Sequence, residues 1–157
     1  MNENIDLNKL PSDVKKEFMK YALKLKEKKT KSKVHDDFLT FAKHVWPEFI
    51  EGKHHKIIAE KFNRLAKGEI KRLIINMPPR HTKSEFASNL LPAWMIGRKP
   101  NLKIIQTTHT TELAVRFGRK AKTLIDSPEY QQVFQTRLRE DSQAAGKWET
   151  EQGGEYY

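Results

Sequence analysis

The chain has 157 residues, one domain's worth, and its 30 lysines and arginines against 20 acids leave a formal charge of +10 and an isoelectric point near 9.7. That balance favours phosphate-rich or otherwise acidic partners, and the absence of cysteine excludes disulfides, thiol catalysis and Cys-ligated zinc or iron–sulfur centres. The start, MNENIDLNKL, lacks the basic flank and apolar core of a signal peptide, and the stretch Leu90 to Ile96 is broken by Pro92 and too short to span a bilayer, so no membrane role is expected and a reducing cytoplasm fits.

Residues 1–33 read as a lysine-rich leader. Val14, Phe18, Tyr21, Ala22 and Leu25 recur at helical spacing behind Pro11 and Ser12, which predicts one amphipathic helix. Its last part, KLKEKKTKSK, is either a solvated helix end with a flexible linker or a track for nucleic-acid phosphates. Residues 34–157 form the second unit. Phe38, Phe41, Ala42 and Val45 predict a short helix stopped by Pro47, and Ile57, Ile58, Phe62 and Leu65 another ending before Gly68.

The apolar run Leu73 to Met77 predicts a buried strand ending at Pro78 and Pro79. A helix follows, with Phe86, Leu90 and Trp94 on one face and Pro92 kinking or shortening it. Leu102 to Thr107 predicts a second strand, and Leu113, Ala114, Phe117, Ala121, Leu124 and Ile125 a long amphipathic helix. Strand alternating with helix argues for βαβ units and a parallel sheet flanked by helices. Beyond Pro128 the pattern predicts a helical turn over Tyr130 to Phe134, a strand-like piece at Trp148 and a hairpin turn at Gly153-Gly154.

The segment Pro78-Pro79-Arg80-His81-Thr82-Lys83-Ser84 stands where a strand hands over to a helix, the usual place for phosphate in α/β folds. A nucleotide loop needs inward backbone N–H groups, a lysine for the β- and γ-oxygens and a hydroxyl for Mg²⁺; Lys83 and Ser84 supply the last two. The glycines of G-x-x-x-x-G-K-[ST] are absent, because Met77 and Thr82 occupy their places, and a β-branched residue resists positive φ. The bland alternative is a proline-rich connection with a surface lysine and a capping serine.

The runs LIINMPPRHTKSEFASNLLPAW, IIQTTHTTELAVRFGRKAKTLIDSPEY and KWETEQGGEYY, in that order, resemble the N-terminal ATPase region of the terminase large subunit, the DNA-packaging motor protein of tailed bacteriophages. The likeness runs from about Val34 to the end and leaves out residues 1–33. It implies the front part of a P-loop NTPase that binds ATP with Mg²⁺. Pro79, Arg80, His81, Thr82, Lys83 and Ser84 would form a divergent Walker A loop, with Lys83 the phosphate lysine, Ser84 the metal-ligating hydroxyl and Arg80 a loop arginine near the phosphates.

His54 and His55 fall where related chains place an adenine-contacting motif; the alternative is that they are ordinary helix-start histidines. Gln106 to His109 fits a segment coupling nucleotide to DNA or a neighbouring subunit, or simply a strand end with Thr110 as helix cap. Arg116, Arg119, Lys120 and Lys122 make a basic cluster on the last long helix, either a solvated face or a contact with the DNA backbone or a neighbouring subunit.

The resemblance further implies double-stranded DNA, the terminase small subunit and the portal protein as partners, a homo-oligomeric ring, and work in the host cytoplasm at the procapsid portal vertex. No Walker B carboxylate follows an apolar strand within these 157 residues. By the resemblance that carboxylate and the nuclease domain come after Tyr157, so the chain alone is expected to be inactive. The competing readings are a non-catalytic basic protein that binds DNA or modulates assembly with a motor-like half fold, and a fragment of a helicase or other P-loop NTPase.

Overall fold

A computed structural model describes residues 11–157; residues 1–10, the start of the expected leader, lie outside it. Helix α1 (Ser12–Asp36) starts behind Pro11 as its sequence predicts. It runs on through KKTKSK, so the linker expected near Lys33 is helical, and nothing from Pro11 to Lys33 is buried. Only at Val34 does α1 enter the core. There Trp94 Nε1 donates to the carbonyls of Val34 (3.3 Å) and His35 (3.1 Å), pinning the end of the helix to the body.

Helix α2 (Phe38–Val45) begins at Asp37, whose carboxylate accepts from Thr40 N–H at 2.8 Å and from the Thr40 hydroxyl at 2.6 Å. Asn63, on helix α3 (Lys53–Ala66), completes this corner by accepting from Phe38 N–H at 2.8 Å and donating to Asp37 at 2.7 Å. The two helices are thereby locked together at a polar joint above an apolar one. Phe38 sits below it, edge-on to Phe62, Phe86 and Trp94 with ring centroids 4.9, 5.2 and 5.5 Å away.

The helix after the phosphate-sized loop is continuous but not regular. A π-helical stretch, Glu85–Leu90, leads into helix α4 (Leu91–Arg98), with the Leu91 N–H reaching back to the Phe86 carbonyl. Pro92 lies in the first turn of α4, where its missing N–H costs least, and the wider π turn takes up the strain that a proline kink would otherwise express. Helix α5 (Thr111–Ile125) is capped by Thr110, whose hydroxyl accepts from Leu113 N–H at 3.3 Å. Helix α6 (Pro128–Gln131) is a single turn capped by Ser127.

The sheet departs from the parallel one expected. Strands β1 (Lys103–Ile104), β2 (Leu138–Ala144), β3 (Lys147–Thr150) and β4 (Glu155–Tyr156) lie in the order β1-β4-β3-β2. Only β1 and β4 run parallel; β3 pairs antiparallel with both β4 and β2. The turn between β3 and β4 uses Gly153 at φ 83°, as a Gly-Gly pair predicts. Trp148 and Tyr156 stack across β3 and β4, 4.8 Å apart, and Trp148 Nε1 donates to the Gly118 carbonyl at 3.1 Å, fixing the sheet to α5.

The other departure concerns Leu73 to Met77. This run is extended, with Leu73, Ile75 and Met77 packed on the core and Ile74 and Asn76 facing out, yet it pairs with no strand. Among the described residues, no backbone-to-backbone hydrogen bond is made between residues 70 and 81. The side-chain pattern of a strand is present without its ladder. The architecture is therefore mixed α/β, with helices gathered around one aromatic core and a small mixed sheet at one side.

Phe38→Ala should lower unfolding free energy by about 3–5 kcal/mol, because it empties the contact shared by α2, α3, the π turn and α4. Urea denaturation followed by tryptophan fluorescence measures it; a loss under about 1 kcal/mol would mean that the ring is not central.

Candidate phosphate-binding loop

The loop between the extended run and the π turn carries the backbone feature that its sequence argues against. Arg80 has φ 63° and Thr82 φ 58°, both left-handed although neither is glycine. Such positions cost on the order of 1–3 kcal/mol each, more readily borne by arginine than by a β-branched threonine, and persist only where neighbours hold them.

The holder of Thr82 is His55. Gly52 N–H donates to His55 Nδ1 at 2.8 Å, which leaves the imidazole proton on Nε2. His55 Nε2–H then donates to Thr82 Oγ1 at 2.5 Å, and the Thr82 hydroxyl donates to the His81 carbonyl at 2.7 Å. His81, itself exposed, folds back on the loop, Nδ1 donating to the Pro79 carbonyl at 2.8 Å. A relay thus runs from the start of α3 to the loop, with every hydroxyl and imidazole role assigned.

His55 is 5% exposed, between Phe49 (ring centroids 4.7 Å apart) and Phe86 (5.0 Å). Burial first and then the neighbouring His54 depress its pKa below the usual 6.5, against an opposing pull from Glu51 that exceeds the small further lowering by His81. The neutral ring is also what the geometry demands, since a proton on Nδ1 would face the Gly52 N–H. The His54 ring lies tilted against His55, centroids 3.8 Å apart, and stands 5.8 Å from the His81 ring, and its Nε2 is buried without a hydrogen-bond partner among the described residues. Gly52 makes room for it, as a Cβ there would meet His54 Cε1 at 2.9 Å.

The sequence-predicted site residues fall into two groups. Pro79, Arg80, His81, Thr82, Lys83 and Ser84 are contiguous, and His54 and His55 are brought to them from α3. Lys83 and Ser84 are exposed at the helix start, and Lys83 and Arg80 have no ion-pair partner among the described residues. Among the described residues, the backbone N–H groups from Arg80 to Glu85 donate to no backbone carbonyl; Phe86 N–H, donating to the Thr82 carbonyl, is the first to do so. Free amides, a guanidinium and an ammonium at a helix N-terminus are a donor set for an anion. Both ring nitrogens of His55 are spent on Gly52 and Thr82, so it positions the loop and has none left for a ligand.

Glu85 forms an ion pair with Lys120 of α5, which takes that lysine out of the basic cluster, whereas Arg116 and Arg119 are exposed. Gln106 is tied into the sheet, accepting from the Tyr156 hydroxyl at 2.7 Å, and Thr108 turns back to the Thr110 carbonyl at 2.6 Å. Asp126 lies at the end of α5, with burial raising its pKa. Among the described residues no group of three or more His, Asp or Glu side chains could hold a metal ion, and no helix is long and apolar enough to cross a membrane. No protein-family model, no curated protein and no solved structure matches the chain.

Because the native state prefers neutral His55, its contribution to stability is complete above pH 6.5 and is lost as pH falls below that value towards the depressed native pKa. His55→Gln, whose amide offers one acceptor and one donor, should flatten this acid limb. Unfolding free energies between pH 8 and pH 5, at steps of about half a unit, test it; an unchanged acid slope in the variant would assign the loss to other groups.

Proposed function

We propose that residues 79–84 bind the phosphates of a nucleotide and that the chain is the front part of a P-loop ATPase of the terminase kind. The observation that carries this reading is the left-handed backbone at Arg80 and Thr82, held by His55, immediately before the free amides at the start of the π turn. A loop under strain, buttressed from another helix and lined with unpaired cations, fits an anion better than it fits a simple connection.

In this reading Lys83 reaches the terminal phosphates and Arg80 reinforces the charge, while the amides from Arg80 to Glu85 surround the oxygens. The residues present fit a magnesium nucleotide: Ser84 offers a hydroxyl at the position following the lysine, and the phosphates themselves supply further oxygen ligands. Magnesium, when bound, neutralises charge on the phosphates. The chain's own part is to bind and orient; the group that orients water for hydrolysis is not assigned to any residue here. The partners that follow are double-stranded DNA, a terminase small subunit and a portal protein, with assembly into a ring at the procapsid vertex in the host cytoplasm.

One observation favours a second reading, a non-catalytic basic protein that binds DNA or modulates assembly. Helix α1 is exposed from Ser12 to Lys33 and rich in lysine, a shape suited to contacting phosphates along a duplex. The two readings separate on titration. Mg-ATP affinity of the chain should fall about tenfold or more in Lys83→Ala and stay unchanged in Lys29→Ala, measured by calorimetry. Equal affinity in the Lys83 variant would remove the phosphate-loop reading. DNA binding that weakens steeply with salt and ignores nucleotide would support the second.

A further inference from the structure

The run Leu73 to Met77 has a use that does not depend on phosphate binding. Its inward side chains are already packed, so the segment is held extended and in register, while Ile74 is 85% exposed. Its peptide groups have no partner among the described residues. Unpaired N–H and C=O groups beside apolar side chains are unfavourable and are normally satisfied by a neighbouring strand.

The same core carries a second open ladder. Strand β1 and its continuation bond to β4 and Tyr157 through Leu102, Ile104 and Gln106, leaving the opposite edge without a partner strand among the described residues and Ile105 77% exposed. Leu73, Ile75, Met77, Leu102 and Ile104 all pack on one cluster, so both unpaired segments are held against the same core.

We propose that residues 73–77 are a strand acceptor, binding an extended polypeptide segment by main-chain pairing. A small molecule or a helix would leave the row of amides and carbonyls unpaired; an added strand satisfies it. The occupant alternates apolar residues, one of which enters the cavity of about 340 Å³ bounded by Ile57, Ile58, Ile74 and Lys61. It carries acids at its ends, because Lys71 and Arg72 precede the run, Arg80 follows it, and all three are exposed without an ion-pair partner among the described residues.

The test uses the whole chain and capped synthetic octapeptides of alternating valine and threonine with glutamate at both ends. Amide hydrogen exchange at residues 74–76 should slow about tenfold or more at saturating peptide. A lysine-ended peptide should bind more weakly, and of two peptides N-methylated on alternate residues, one should lose binding while the other keeps it. Ile74→Lys should abolish binding with unfolding free energy retained, whereas Lys83→Ala should leave it intact, so failure here and failure of the phosphate reading are separate results. Unslowed exchange at millimolar peptide, or equal binding by both N-methylated forms, would overturn the proposal. Protection that grows with the chain's own concentration, without peptide, would replace the proposed occupant by a second copy.

Discussion

The bond from His55 to Thr82 is the constraint on which the loop depends. It joins three things that the sequence keeps apart: the first turn of α3, the aromatic core through Phe49 and Phe86, and a threonine in a backbone region that it avoids by itself. A short bond in a partly buried setting is stronger than one in water, and here it works against about 1–3 kcal/mol of local strain. The loop's shape is consequently linked to core packing. Disturbance of Phe86 or Phe49 reaches residues 80–82 through one imidazole ring.

Helices were legible in the sequence because their determinants are local. Helix α1 starts behind Pro11 without a side-chain cap, Asp37, Thr110 and Ser127 cap the starts of α2, α5 and α6, and the apolar spacing in α2, α3 and α5 marks the buried faces. Leu73 to Met77 and Leu102 to Thr107 were legible as extended, and their inward residues follow the alternation. Pairing was not legible, since it is decided by distant partners. Strand β2, LREDSQA, has no apolar alternation to mark it and is a strand because β3 supplies its ladder; the antiparallel pairs that β3 makes are also why the sheet is mixed.

The same division applies to the loop. Which residues compose it could be read from the proline pair, the lysine and the serine. The left-handed conformation of Thr82 could not, because residue preference argues against it and only the His55 contact, 27 positions away in sequence, overrides that preference. His55 itself had a weak signal: a histidine at the third helical position after Gly52, where Glu or Gln ordinarily reaches back to the capping N–H.

Charge is distributed in a way that separates two kinds of cation. Lys43 and Lys56 pair with Glu51, Lys103 with Glu155, Lys120 with Glu85 and Arg139 with Asp141 and Glu149, which leaves these side chains as surface ion pairs of small energetic weight. Arg80 and Lys83 have no such neighbour, though Glu85 is only two positions beyond Lys83. Its carboxylate is turned to Lys120 of α5 instead. By drawing an acid away from the helix start, that ion pair leaves the free amides and the two loop cations without this carboxylate beside them, a larger effect on the local charge than the pair's own small contribution to stability.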